Sequence, residues 1–310
     1  MLKLKRTLKL VKYDLLAMLK YWWVIALITP IAAVLCAVLF RGYNQLDYFM
    51  YSDAYRNGSG ALRTTVILLY LADMVLSWIS AVIFGVTILA TVLILAIRFY
   101  KHFYTDEGYL TFTLPVSRRE LYLSKVVSSM AILLAQVFIM VLCGIFMLII
   151  IPQSESISWL FESNETSGGA SSEVSYEAWR VILNVLLFIV SSVFGIVAVV
   201  GSLFTSLTLI HFCITLGAVI VKRGKVFASI GCWYLINEAY SFIRGCVTTS
   251  FYCMGVLAII FIFGSDGFTF TQMMLAWTPF VLMIASMHWT IGFLFYNSTQ
   301  ALIDKKLNLA

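Results

Sequence analysis

Residues able to do chemistry are sparse in this chain. His102, His211 and His288 lie far apart in sequence, and neither H-E-x-x-H nor G-x-S-x-G occurs, the spacings that build a zinc protease site or a nucleophile elbow. A phosphate cradle needs G-x-x-x-x-G-K-[ST]; the nearest approach, Gly224-Lys225-Val226, lacks the earlier glycine and the hydroxyl. Nothing therefore argues for an enzyme, and ATP is not expected to bind this chain by that route. Cys36, Cys143, Cys213, Cys232, Cys246 and Cys253 fall inside apolar runs without a C-x-x-C pair, which reads as small packing residues and not as zinc ligands. Two polar residues inside an apolar run stand out, Asn237 and Glu238. An acid within hydrocarbon is costly, so these two are candidates for a substrate path; the alternative is a carboxyl that is protonated or bonded between helices for structure alone. Asp73 reads as an outer-interface residue.

The elements that must position these groups follow from hydropathy. The chain is 62% hydrophobic and 12% charged, where a soluble domain carries roughly a quarter charged residues. Crossing a hydrocarbon layer takes about 20 apolar residues at 1.5 Å each. Such stretches lie at about 21–40, 65–97, 126–151, 181–221, 226–263 and 273–297. The expectation is an all-α polytopic bundle of six transmembrane elements in one domain spanning 1–310, with no period of 20 to 50 residues. Residues 2–20 place Leu4, Leu8, Val11, Leu15, Met18 and Leu19 on one face with Lys5, Lys9, Lys12 and Lys20 beside it, which predicts an amphipathic helix on the membrane surface. Residues 41–64, polar and containing RNGSG, read as an outer loop.

The stretches 181–221 and 226–263 are nearly twice one crossing, which leaves them open to a kink, a re-entrant part or a split near Gly201-Ser202 and Gly245-Cys246. Counting each as one crossing puts sixteen lysines and arginines inside against Arg41, Arg56, Arg63 and Arg180 outside, with Arg244 near the outer interface. That bias is the positive-inside pattern, so both termini are expected in the cytoplasm of a multi-pass protein. The surplus of six positive charges is thus read as topology and not as a nucleic-acid surface.

The most informative segment is 98–125, RFYKHFYTDEGYLTFTLPVSRRELYLSK. Thr105 can cap a short helix with Asp106 and Glu107 in its first turn, and Pro115 closes it. Ser117 and Glu120 form a capping box that starts the next helix. Tyr109, Leu110, Phe112 and Leu114 are then presented to the cytoplasm; an exposed apolar knob is a usual sign of an interaction surface, the alternative being burial against the protein's own helices or in lipid headgroups.

The run DEGYLTFTLPVSRRELYLSK resembles the segment after the second span of ABC-2 type transporter permeases of Gram-positive bacteria. HFCITLGAVIVKRGKVFASIGCWYLIN and the C-terminal KKLNLA are similar to further segments of that family. The resemblance implies a membrane-spanning permease subunit of an ABC exporter in a bacterial cell membrane, surrounded by lipid and paired with a second permease subunit. It implies that Asp106, Glu107, Gly108, Tyr109, Leu110, Thr111, Phe112, Thr113, Leu114, Pro115 and Ser117 form a coupling helix docking on a separate ATP-binding subunit, which binds ATP and Mg. The cargo would be an amphipathic or hydrophobic peptide, lipid or drug. Phe112 and Ala310 depart from the family pattern. The rival from another class is an ATP-independent secondary transporter or channel, which predicts more buried ionisable groups and internal symmetry than this sequence holds.

Overall fold

A chain immersed in hydrocarbon must satisfy every backbone group internally, and long apolar stretches do so as helices. The computed structural model describes residues 2–105, 116–150, 173–221, 224–263 and 270–306. Their order is α1 (Leu2–Met50), α2 (Asp53–Arg56), α3 (Gly60–Tyr104), α4 (Arg118–Ile150), α5 (Glu173–Ile220), α6 (Lys225–Phe263) and α7 (Phe270–Lys306). Among the described residues there is no strand. Five stretches are long and apolar enough to cross a membrane: Arg6–Met50, Gly60–Tyr104, Arg118–Met147, Ile182–Ile220 and Trp277–Asp304. The chain is an all-helical membrane protein.

Several sequence expectations meet a different structure. Residues 2–20 are not a separate surface helix, because they run without interruption into the first span. The reason is a continuous seam: Met18, Trp22, Ile25, Thr29, Ala32 and Cys36 are all buried, alternating four and three residues apart across the expected boundary, while Leu8 of the supposed apolar face is 57% exposed. The expected loop at 41–64 is mostly helix, since polarity alone does not end a helix; only 51–52 and 57–59 leave it. Ser52 caps α2 by accepting from Tyr55 N, and Arg63 donates to the carbonyls of Tyr55 and Arg56.

The anticipated breaks near Gly201 and Gly245 are absent; α5 and α6 pass through both. Gly201 instead lets another helix come close, since a Cβ there would sit 2.9 Å from Trp289 Nε1. The chain reverses between α5 and α6 at Gly224, whose φ of +76° is left-handed backbone that glycine adopts without a Cβ clash. A connection this short makes α5 and α6 antiparallel neighbours.

The described chain clusters into two compact units. One takes Val11–Leu95 and Ala131–Thr166. Within it Trp22 Nε1 donates to Gln136 Oε1 at 3.0 Å, Gln136 Nε2 donates to Thr29 Oγ1 at 2.9 Å, and Thr29 passes its own proton to Ile25 O at 2.8 Å. Asp73 is half-buried and faces Gly42, where a Cβ would lie 3.3 Å from its Oδ2. Tyr43 and Tyr70 stack at 4.9 Å with their hydroxyls 2.6 Å apart.

The other unit takes Met1–Leu10, Ala96–Met130 and Ser167–Ala310. Here α5 lies along α7, with Phe204 pressed on Gly292 and Thr205 Oγ1 donating to His288 O at 2.6 Å. Gly217 of α5 meets the backbone of Ser229 on α6; a Cβ would fall 2.6 Å from Ser229 N, a distance no side-chain adjustment relieves. Replacing Gly217 with alanine is therefore expected to cost about 1–3 kcal/mol by overpacking. Gly195→Ala, on the same helix with nothing within 4 Å, should be neutral or slightly stabilising. Thermal unfolding of both variants in one detergent checks this, and equal midpoints would contradict the close α5–α6 approach.

Candidate functional site

Residues 106–115, which carry most of the expected docking surface, lie outside the described residues. Both flanks are described, and they belong to the same unit as α5, α6 and α7. On the near side, α3 ends in RFYKHFY, and the i, i+4 spacing of Phe99 and Phe103 turns both rings to one face, 4.8 Å apart. Both are buried. Thr105 donates its hydroxyl backward to Lys101 O at 2.5 Å in the last turn of α3, while the helix it was expected to cap lies outside the described residues. On the far side the capping box is formed reciprocally: Ser117 N donates to Glu120 Oε2 at 3.4 Å and Glu120 N donates to Ser117 Oγ at 3.3 Å. The box fixes where α4 begins and hence where Tyr122 points.

The two flanks grip the later helices through an aromatic clamp. His211 of α5 stacks on Phe99 at 3.9 Å with the rings 17° from parallel. Tyr122 of α4 meets the same imidazole edge-on at 6.0 Å, meets Phe99 at 6.2 Å, and stacks on Tyr296 of α7 at 5.1 Å. Offset and edge-on arrangements of this kind are the favourable ones for rings with negative faces and positive rims. Tyr122 and His211 are fully enclosed. Beside them Tyr104 donates from its hydroxyl to Thr215 Oγ1 at 2.9 Å, and Thr215 donates to His211 O at 2.8 Å.

Arginines complete the attachment at the level of the α4 start. Arg118 Nη1 donates to Ile303 O at 3.2 Å and to Asp304 O at 3.4 Å, satisfying carbonyls in the last turn of α7 where the helix dipole is negative. Arg119 pairs with Asp304 at 3.4 Å, but with Arg119 74% exposed this ion pair adds little. Sequence reading gave these arginines only a topological role. The clamp was missed as well, although Phe99/Phe103 and the buried periodicity of Tyr122, Val126 and Ser129 carried a signal for it.

Asn237 and Glu238 are placed elsewhere. They lie on α6, Asn237 half-buried and Glu238 exposed, and the structure does not bring them to the clamp. The α6 helix is unbroken, so Glu238 does not reach Arg244, whose guanidinium lies 5.6 Å from the Tyr240 ring centroid. Tyr240 in turn shares a hydrogen bond of 2.8 Å with His288 Nδ1. No family model, curated protein or solved structure matches the chain.

The clamp is a set of ring-to-ring packing contacts. It has no nucleophile poised by a base, and among the described residues no three metal-ligating side chains converge. His211 supports that view, because neither of its ring nitrogens has a hydrogen-bond partner. A buried unpartnered polar atom costs free energy, and a benzene ring of similar shape keeps the stack without that cost. His211→Phe is accordingly expected to keep or raise the thermal midpoint, whereas His211→Ala should lower stability by about 2–4 kcal/mol through the cavity it leaves. A large loss of stability in the phenylalanine variant would mean the imidazole nitrogens themselves hold the joint.

Proposed function

We propose that this chain is the membrane-spanning permease subunit of an ATP-driven ABC exporter, with residues 106–115 seated on a separate ATP-binding subunit. The carrying observation is that both flanks of that segment are fastened to α5 and α7 through Phe99, Tyr104, Arg118 and Tyr122. A segment bearing Tyr109, Leu110, Phe112 and Leu114 and held at both ends by buried rings is suited to receive force, because displacement of its base moves whole helices instead of a slack loop.

Six crossings are the five stretches long and apolar enough to span plus α6, with both termini on the cytoplasmic face of a bacterial plasma membrane; unbroken α5 and α6 support counting each as one crossing. The sixteen-to-four partition of basic residues gives the orientation. Two such permease subunits, identical or different, would enclose a path for an amphipathic or hydrophobic cargo, with ATP and Mg held by the partner. ATP binding there shifts the membrane helices between two packed states only if the partner contacts those states differently.

Pull-down of the tagged chain from its native host should recover an ATPase of nucleotide-binding-domain size. Leu110→Asp combined with Leu114→Asp should reduce that recovery at least tenfold while leaving membrane insertion unchanged. Undiminished recovery with the double variant rules out docking through this segment, and external labelling of a cysteine placed at Tyr109 rules out the topology.

A further inference from the structure

The packed side of α6 is fixed by Ser229 against Gly217 and by Tyr240 against His288. Glu238 stands nine residues from Ser229, about 180° around the helix at 100° per residue, and is exposed. Among the described residues it has neither a hydrogen bond nor an ion pair. Hydrocarbon offers an acid no partner, so an occupant of matching charge is the kind of ligand this surface would favour.

The neighbouring residues specify its chemistry. Tyr234 and Phe242, four residues before and after Glu238, share its face and are 60% and 73% exposed. The three form a column rising about 12 Å along the helix, aromatic, acid, aromatic. Gly231 and Gly245 lie one heptad beyond Glu238 on either side, and a Cβ on either would have nothing within 4 Å. The column is therefore open at both ends. A carboxylate between two aromatic faces attracts an organic cation, by charge from the acid and by the ring quadrupoles from either side. A small inorganic ion would have to give up its hydration to meet the rings and gains nothing from the apolar surroundings.

We propose that Tyr234, Glu238 and Phe242 form a binding site for lipophilic cations on the outward face of α6. The site rests on reading α6 as a membrane-crossing element of a transport subunit, and it narrows the cargo to amphipaths that carry positive charge. A neutral lipid would not select the acid. A second copy of the chain would bring one Glu238 towards another, and the same helix supplies Arg244 on a different face, already lying over Tyr240.

The probe is tritiated tetraphenylphosphonium, with tetraphenylborate as an anion of the same shape, and the full chain is reconstituted in uncharged phosphatidylcholine vesicles without any ATP-binding partner. The expected result is saturable phosphonium binding that weakens at least tenfold in Glu238→Gln, persists in Glu238→Asp, and has no borate counterpart. Replacing Tyr234 and Phe242 together with leucine should weaken it several-fold with the acid intact, and Ile243→Ala, on another face, should not. Equal, non-saturable partitioning in the wild-type chain and Glu238→Gln overturns the proposal. So does a dimer, seen by native mass spectrometry, that Glu238→Gln dissolves while phosphonium binding stays non-saturable. Because no ATPase is present, failure here is separable from failure of the docking at 106–115.

Discussion

Helices in lipid are not driven together by hydrophobicity, because the tails around them are as apolar as their own side chains. What holds them is close approach of backbones at small residues and hydrogen bonds between groups that have no other partner. Both occur here at named places. Gly217, Gly201 and Gly292 let Ser229, Trp289 and Phe204 reach the backbone of a neighbouring helix. Gln136 joins Trp22 to Thr29, and Thr205 reaches His288 O. Each of these contacts is specific in register, so a helix cannot slide past its neighbour by a fraction of a turn without losing several at once.

The same constraint applies at the two flanks of residues 106–115. The ends of α3 and α4 are attached to α5 and α7 by rings in contact on both faces, and the last carbonyls of α7 are held by Arg118. Interiors packed in this way transmit displacement instead of absorbing it. His211 is the centre of the joint because its imidazole contacts Phe99 and Tyr122 together. Among the described residues its ring nitrogens have no hydrogen-bond partner, so its contacts there are those of a packing ring.

What sequence could show was set by how local the cause is. Five of the six expected spans were legible because hydropathy over about 20 residues decides crossing. The capping box at Ser117 and Glu120 was legible because it is a contact three residues apart. The extent of α1 was not, since the decision rests on a buried seam from Met18 to Cys36 whose partners lie elsewhere in the chain. Gly201 looked like a hinge in one dimension and proved to be a contact in three. The RNGSG turn was found, but its polar flanks were assigned to the loop although helices readily carry polar residues beyond the hydrocarbon.

Glu238 shows the same distinction from the other side. Sequence marked it as costly in lipid but could not say whether it was buried among helices, where a bonded carboxyl has only a structural role. The orientation of α6 decides, because the packed face is claimed by Ser229 and Tyr240, and an α-helix that fixes those two residues inward has no freedom to turn Glu238 the same way. The acid therefore stands on the side of α6 away from α5 and α7. Arg244 does not neutralise it, since a continuous helix sets the two groups about 120° apart in azimuth. Among the described residues no side chain of this protein meets the carboxyl of Glu238, and the exposed side of α6 is where an outside group can reach it.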